Sequence, residues 1–210
     1  MLDLVLPLEC GGCGARSVRW CGLCAAALRL GPDDPQVVTP RIDPGVPVFA
    51  LGRYAGSRRQ AIVALKEHGR RDLVAPLAVA LAQGVERLVA WGVVGSPLTL
   101  VPAPTRRWAA RRRGGDPVTR VARAAAAGSA RIGVVAVLRT AGLARDSVGL
   151  SAVARERNIA GRVRVVAPPG AGELLLVDDV VTSGATAREA VRALGAAGAT
   201  VAAVLALSRA

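Results

Sequence analysis

Along the chain, short apolar runs alternate with stretches of helical period. Residues 174–186 read LLLVDDVVTSGAT: four apolar residues, two acids, two apolar residues and a small hydroxyl-rich loop. A continuous apolar run such as 174–177 is the pattern of a parallel strand covered on both faces. It predicts a buried strand that ends on Asp178 and Asp179. A helix is expected over about 186–197, stopped by Gly198, and ATVAAVLALS (199–208) then returns as a second apolar strand.

The same rhythm extends upstream. A strand is predicted over 48–54, then an amphipathic helix capped by Ser57 with Ile62 and Leu65 on its apolar side. A longer helix covers about 72–90 and a strand 98–102. Asp116 caps the next helix, with Pro117 in its first turn. A strand at 132–138, a short helix at 150–157 and a strand at 162–167 lead into the unit described above. Strands alternating with helices predict an α/β domain with a mainly parallel sheet flanked by helices.

Pro32, Pro35, Pro40, Pro44 and Pro47 mark a loop or semi-rigid linker, which places a boundary within 31–45. Residues 1–40 are then an N-terminal segment with its linker, and 41–210 the α/β domain. No uncharged apolar run approaches the ~18 residues of a membrane span. The longest apolar stretch, 73–102, is broken by Gln83, Glu86 and Arg87. The opening MLDLVLPLEC lacks the basic region and long apolar core of a secretory signal, so a cytoplasmic protein without membrane insertion is expected.

Composition adds two constraints. With three Trp, one Tyr and one Phe, the core must come from Ala, Val and Leu, and base stacking on aromatic platforms is scarce. The net charge is +13, nearly all of it Arg, with Lys66 the single lysine. That excess reads either as a surface for a polyanion such as nucleic acid or as Arg filling most solvated positions.

All four cysteines precede residue 25, as Cys10-Gly-Gly-Cys13 and Cys21-Gly-Leu-Cys24. Two C-x2-C turns close a tetrahedral Zn–S₄ site, and their glycines give those turns the freedom they need. A redox C-x-x-C normally stands alone beside a βαβ unit. The spacing therefore predicts a structural zinc, with no open coordination position, that folds a segment too short to have its own core.

At the carboxyl end of the 174–177 strand, two acids and a loop of Thr182, Ser183, Gly184, Ala185 and Thr186 meet the positive end of a helix. This is a sugar-hydroxyl grip beside a monophosphate cradle. The stretch resembles the phosphoribosyl-pyrophosphate (PRPP) signature of type I phosphoribosyltransferases. The resemblance implies that Asp178 and Asp179 hold the ribose 2′ and 3′ hydroxyls and orient the waters of a Mg²⁺ ion, while the loop holds the 5′-phosphate.

Over nearly its whole length the chain resembles the ComF family of phosphoribosyltransferase-like proteins. The matching segments are Cys10–Cys24, Lys66-Glu67-His68-Gly69, VPAP at 101–104 with the arginine-dense TRRWAARRRGGD after it, Arg157-Asn158, and LLLVDDVVTSGAT. Leu65 and Glu67 beside the lysine, Arg113-Gly114-Gly115-Asp116, and Ser147 depart from the family pattern, in regions that would cover a second substrate. The resemblance implies that leaving-group charge falls to the backbone of Val101, Pro102 and Ala103 and to Arg106, Arg107 and Arg111, with Lys66 a further phosphate contact. His68 at a helix end is expected to be a C-terminal cap rather than a general base.

The function expected from the resemblance is binding of PRPP with Mg²⁺ in DNA uptake (competence) or DNA utilisation. Single-stranded DNA and a helicase-like competence protein would be partners. The alternative is an active phosphoribosyltransferase of nucleobase or nucleotide salvage whose acceptor the sequence does not name.

Overall fold

The strand at 174–177 is the centre of the molecule, and residues from both directions of the chain pack on its two faces. The computed structural model describes residues 8–104, 116–140, 159–170 and 172–210. Its strands are β1 (Gln36–Val37), β2 (Val48–Ala50), β3 (Leu98–Pro102), β4 (Ile132–Val134), β5 (Leu138–Thr140), β6 (Val163–Val165), β7 (Glu173–Val181) and β8 (Val201–Arg209). The helices are α1 (Gly22–Leu28), α2 (Gly56–Glu67), α3 (Val74–Ala90), α4 (Pro117–Ala126) and α5 (Ala185–Ala196), and a 3₁₀ turn at Arg71–Leu73 leads into α3.

Six strands form one sheet in the order β1-β2-β8-β7-β3-β4. Every neighbouring pair is parallel except β1–β2, the antiparallel edge. The fold is thus α/β with a mostly parallel sheet flanked by helices, as the sequence predicts. Successive residues of β7 point to opposite faces. Leu175 and Val177 join the core under α2, α3 and α4, while Leu174 and Leu176 join a second core under α5. All four are fully buried, and each such burial contributes roughly 1.5–3 kcal/mol.

Several element boundaries differ from expectation for identifiable reasons. β7 does not end on the acid pair; it runs on to Val181 because β8 is long enough to pair Val180 with Ser208 and Val181 with Arg209. The expected strand at 132–138 is two strands. β4 pairs with β3 as far as Val134, and the chain then leaves the sheet so that Leu138–Thr140 pairs antiparallel with β6. Ser57 does not cap α2: the helix starts at Gly56, its N-cap is Ala55, and no side chain caps it. Asp116 does cap α4, accepting the Thr119 N–H at 2.9 Å. The helix expected over 150–157 lies outside the described residues.

Residues 71–90 are the one described helix long and apolar enough to cross a membrane. Leu77, Leu81, Val85 and Leu88 along it are buried in the core of the sheet domain. The N-terminal segment rests on this same helix. Leu28 belongs to the α3 core and Trp20 packs against it. Arg70 Nη2 donates to the carbonyls of Glu9 at 3.1 Å and Arg19 at 3.3 Å. Within the proline-rich stretch, β1 lies along the sheet edge.

Candidate functional site

β3 and β7 are neighbours, yet the chain leaves them in opposite directions. β3 leads through α4 to β4 on one side, and β7 leads through α5 to β8 on the other. Such a divergence opens a crevice outside the carboxyl ends of the strands, where open α/β sheets bind ligands. A cavity of about 390 Å³ occupies this place. Asp178, Asp179, Thr182 and Thr186 line its β7–α5 side and Ala103, Pro104 and Val118 its β3–α4 side, with Lys66 and Tyr54 reaching it from α2 and the residues after β2.

Asp179 shares the β7 face of Leu175 and Val177, the face α2 covers, and this is why Lys66 reaches it. The Lys66 ammonium lies 2.7 Å from Asp179 Oδ2. Burial opposes the charge on Lys66, but Asp179 outweighs it and the ammonium is held above its ordinary pKa. Asp178 Oδ1 accepts the Asp179 N–H at 2.8 Å. Burial first, and the charge of Asp179 second, push the Asp178 carboxyl up to about 8; Lys66 and that N–H act the other way. Asp116 adds a further upward push, and its Oδ1 is buried without a hydrogen-bond partner.

The loop after β7 is short because α5 begins at Ala185, one residue before the expected start. Gly184 caps it in the left-handed region at φ 87°, where an added Cβ would lie 2.3 Å from the Ile42 carbonyl oxygen and 2.8 Å from Pro40 Cβ. Ile42 N–H donates to the Ser183 carbonyl at 2.8 Å. The loop is therefore gripped from behind by residues 40–42, while Thr182 and Thr186 line the cavity in front. The start of α5, the positive end of its dipole, lies at this loop.

The expected leaving-group residues fare unevenly. Ala103 and Pro104 line the cavity, but Val101 and Pro102 are buried within β3. The Ala103 N–H is already committed to the Val177 carbonyl at 2.7 Å, so it is not free for a phosphate, contrary to expectation. Lys66, expected to contact phosphate, lines the cavity with its ammonium paired to Asp179. Arg106, Arg107, Arg111, Arg112, Arg113, Ser147, Arg157 and Asn158 lie outside the described residues. His68 is the C-cap of α2, its N–H donating to the Ala64 carbonyl, and its side chain is exposed. Tyr54 and Val118 were not foreseen at the cavity; the only signal for Tyr54 is its place just past a strand end.

The four thiols form the second candidate centre. Their sulfurs all lie within 4.8 Å of one another, and the Cys13–Cys21 separation is 3.6 Å. Tetrahedral Zn–S₄ geometry sets sulfurs about 3.8 Å apart, so the cluster can hold a metal ion such as zinc. The surroundings fit an anionic sulfur cage. Cys21 N–H points at Cys10 Sγ at 3.4 Å and Cys24 N–H at Cys21 Sγ at 3.5 Å. Burial is the largest influence on Cys10 and raises its pKa, but the backbone N–H groups at Cys13, Cys21 and Gly12 prevail and hold the thiol at about 6. Burial and the neighbouring thiols push Cys24 upward. A Cβ on Gly12 would lie 2.6 Å from Cys24 Sγ, so this turn admits only glycine.

No protein-family model matches the chain. No characterised protein matches it either.

Proposed function

We propose that the protein binds PRPP with Mg²⁺ in the β3–β7 crevice of a type I phosphoribosyltransferase fold, as a ComF-family protein of DNA uptake or utilisation. The observation that carries the ligand reading is the convergence of an acid pair and a phosphate-sized loop on one crevice. Thr182, Ser183, Thr186 and the start of α5 take the 5′-phosphate; Asp178 and Asp179 take the ribose hydroxyls. Mg²⁺ would neutralise the pyrophosphate, and Asp178 and Asp179 are the residues that would hold it. Lys66 holds the Asp179 carboxyl group in place at 2.7 Å, and the raised Asp178 carboxyl would release its proton to an arriving cation. The thiol cluster holds a structural zinc that fixes the N-terminal segment on α3.

The DNA role rests on the ComF resemblance and on the net charge of +13. Transfer to an acceptor is the second reading. The observation favouring it is the wall of Ala103 and Pro104 opposite the acids, which leaves room for a leaving group at the sugar's anomeric carbon.

Ligand-dependent melting tests the binding reading. At a hundredfold excess over Kd, PRPP with Mg²⁺ adds about 2.7 kcal/mol. For a chain of this size that raises Tm by roughly 5–10 °C. The Asp178→Asn/Asp179→Asn double variant is expected to lose this rise while staying folded; a folded double variant that keeps it would sink the reading. Pyrophosphate release on adding an acceptor base separates transfer from binding alone.

A further inference from the structure

The segment between the thiol cluster and β2 is tied down at both ends through its backbone. At one end the half-buried Arg87 of α3 reaches the carbonyls of Gly31, of Pro32 at 3.3 Å and of Asp34 at 2.7 Å. At the other end Ile42 N–H meets the Ser183 carbonyl at 2.8 Å, and Pro40 and the Ile42 carbonyl press on Gly184. In between, β1 is laid against β2. The grip on the phosphate loop is too close to admit a Cβ on Gly184, so the loop cannot shift towards residues 40–42 unless they move too. Upstream, the segment continues from α1, whose Cys24 and Leu28 link the thiol cluster to the α3 core.

From this geometry we infer that residues 30–42 are a positioning strap for the phosphate loop, and that through it the thiol cluster sets the affinity for a phosphate monoester. The inference rests on the proposed phosphate site. Pro40 and Ile42 touch no ligand; they act by holding Ser183 and Gly184 so that the N–H groups at the start of α5 stay aimed at one point. A preorganised anion site loses affinity when its donors must be ordered on binding. Loss of the metal unties α1 at Cys24 and leaves the upstream end of the strap held by Leu28 and Arg87 alone.

Calorimetric titration of the metal-loaded protein with ribose 5-phosphate tests the strap. Ile42→Pro, which deletes the N–H donor, is expected to weaken binding about tenfold. Ile42→Val, which keeps the donor, should stay within twofold. Arg87→Gln frees the other end without touching the phosphate loop and is expected to weaken binding by a similar factor. It also keeps the test decisive if Ile42→Pro does not fold. Removing the metal with a chelator, with the sheet domain still folded by circular dichroism, should give the same loss. Affinity within twofold of wild type in folded Arg87→Gln and in the metal-free protein overturns the inference, as does an equal loss in Ile42→Val and Ile42→Pro. Failure of the unaltered protein to bind ribose 5-phosphate at all overturns the phosphate-site reading itself, and the strap's role with it.

Discussion

The thiol cluster and the acid-pair crevice are built on opposite plans. The cluster is local: Cys10 to Cys24 bring their sulfurs together on two turns, and the N-cap of α1 is itself a cluster thiol, Cys21 accepting the Cys24 N–H. The crevice is assembled from afar. Its lining comes from Tyr54, Lys66, the end of β3, α4, and the β7–α5 turn, brought together by sheet order. A local centre needs something outside itself to become stable, here the flank of α3 and, on the proposed reading, a metal. An assembled centre takes its geometry from a core that forms regardless, and so can hold uncomfortable chemistry such as two adjacent carboxyls, one buried and one half-buried.

The largest expected effect tests how far the local centre stands apart. Leu28 and Trp20 pack into the α3 core, and Arg70 binds the carbonyls of Glu9 and Arg19. Losing the metal should therefore loosen the sheet domain as well as its own segment. Cys24→Ser, or stripping the metal, is expected to cost several kcal/mol. Tm should fall by on the order of 10 °C, measured by calorimetry alongside metal content. An unmoved main transition would show that the segment is an independent appendage.

The same contrast explains what could be read from the residues alone. Asp116 with Pro117 after it, the apolar run at 98–102 and the turn at Gly198 are local signals, and the structure follows each of them. The doubled C-x2-C spacing is local too, and the sulfurs do converge. What failed depended on partners elsewhere. The acids are not the end of β7 because Ser208 and Arg209 of β8 extend the pairing. The pairing of Lys66 with Asp179 had no local signal, because the face alternation of β7 delivers that acid to α2. The grip of residues 40–42 on Gly184 had no signature, since it is made by a backbone carbonyl and an N–H.

A second, smaller effect concerns the strain held in the assembled centre. The Asp178 carboxyl rises from 3.8 to about 8 in the fold, chiefly by burial. The folded state thus binds this proton more tightly than the unfolded chain. Its stabilising contribution is complete below about pH 4 and is lost progressively as pH climbs to about 8. Asp178→Asn carries no such loss. The variant should be no less stable than wild type near pH 4 and more stable by on the order of 1–3 kcal/mol at pH 8. Parallel Tm profiles for the two proteins, running from pH 4 to 8, would show that Asp178 is not held against its charge.

The smallest expected effect asks whether the helix that carries Lys66 is placed locally, as α1 is, or from a distance. Ser57 looks like a cap in sequence, and a true N-cap hydroxyl contributes about 0.5–2 kcal/mol. In the fold it lies inside the first turn of α2 and the helix has no side-chain cap. The next residue anchors it instead: buried Arg58 donates from Nη1 to the Leu207 carbonyl of β8 at 3.2 Å. Behind it, Ala61, Ile62 and Leu65 seal the helix to the core. Ser57→Ala is therefore expected to change the free energy of urea unfolding by less than about 0.5 kcal/mol and to leave ligand affinity untouched. A loss of a full kcal/mol would make Ser57 a working cap. α2 would then be anchored at its own start, as α1 is, and the position of Lys66 over Asp179 would owe less to β8 than the long-range contacts imply.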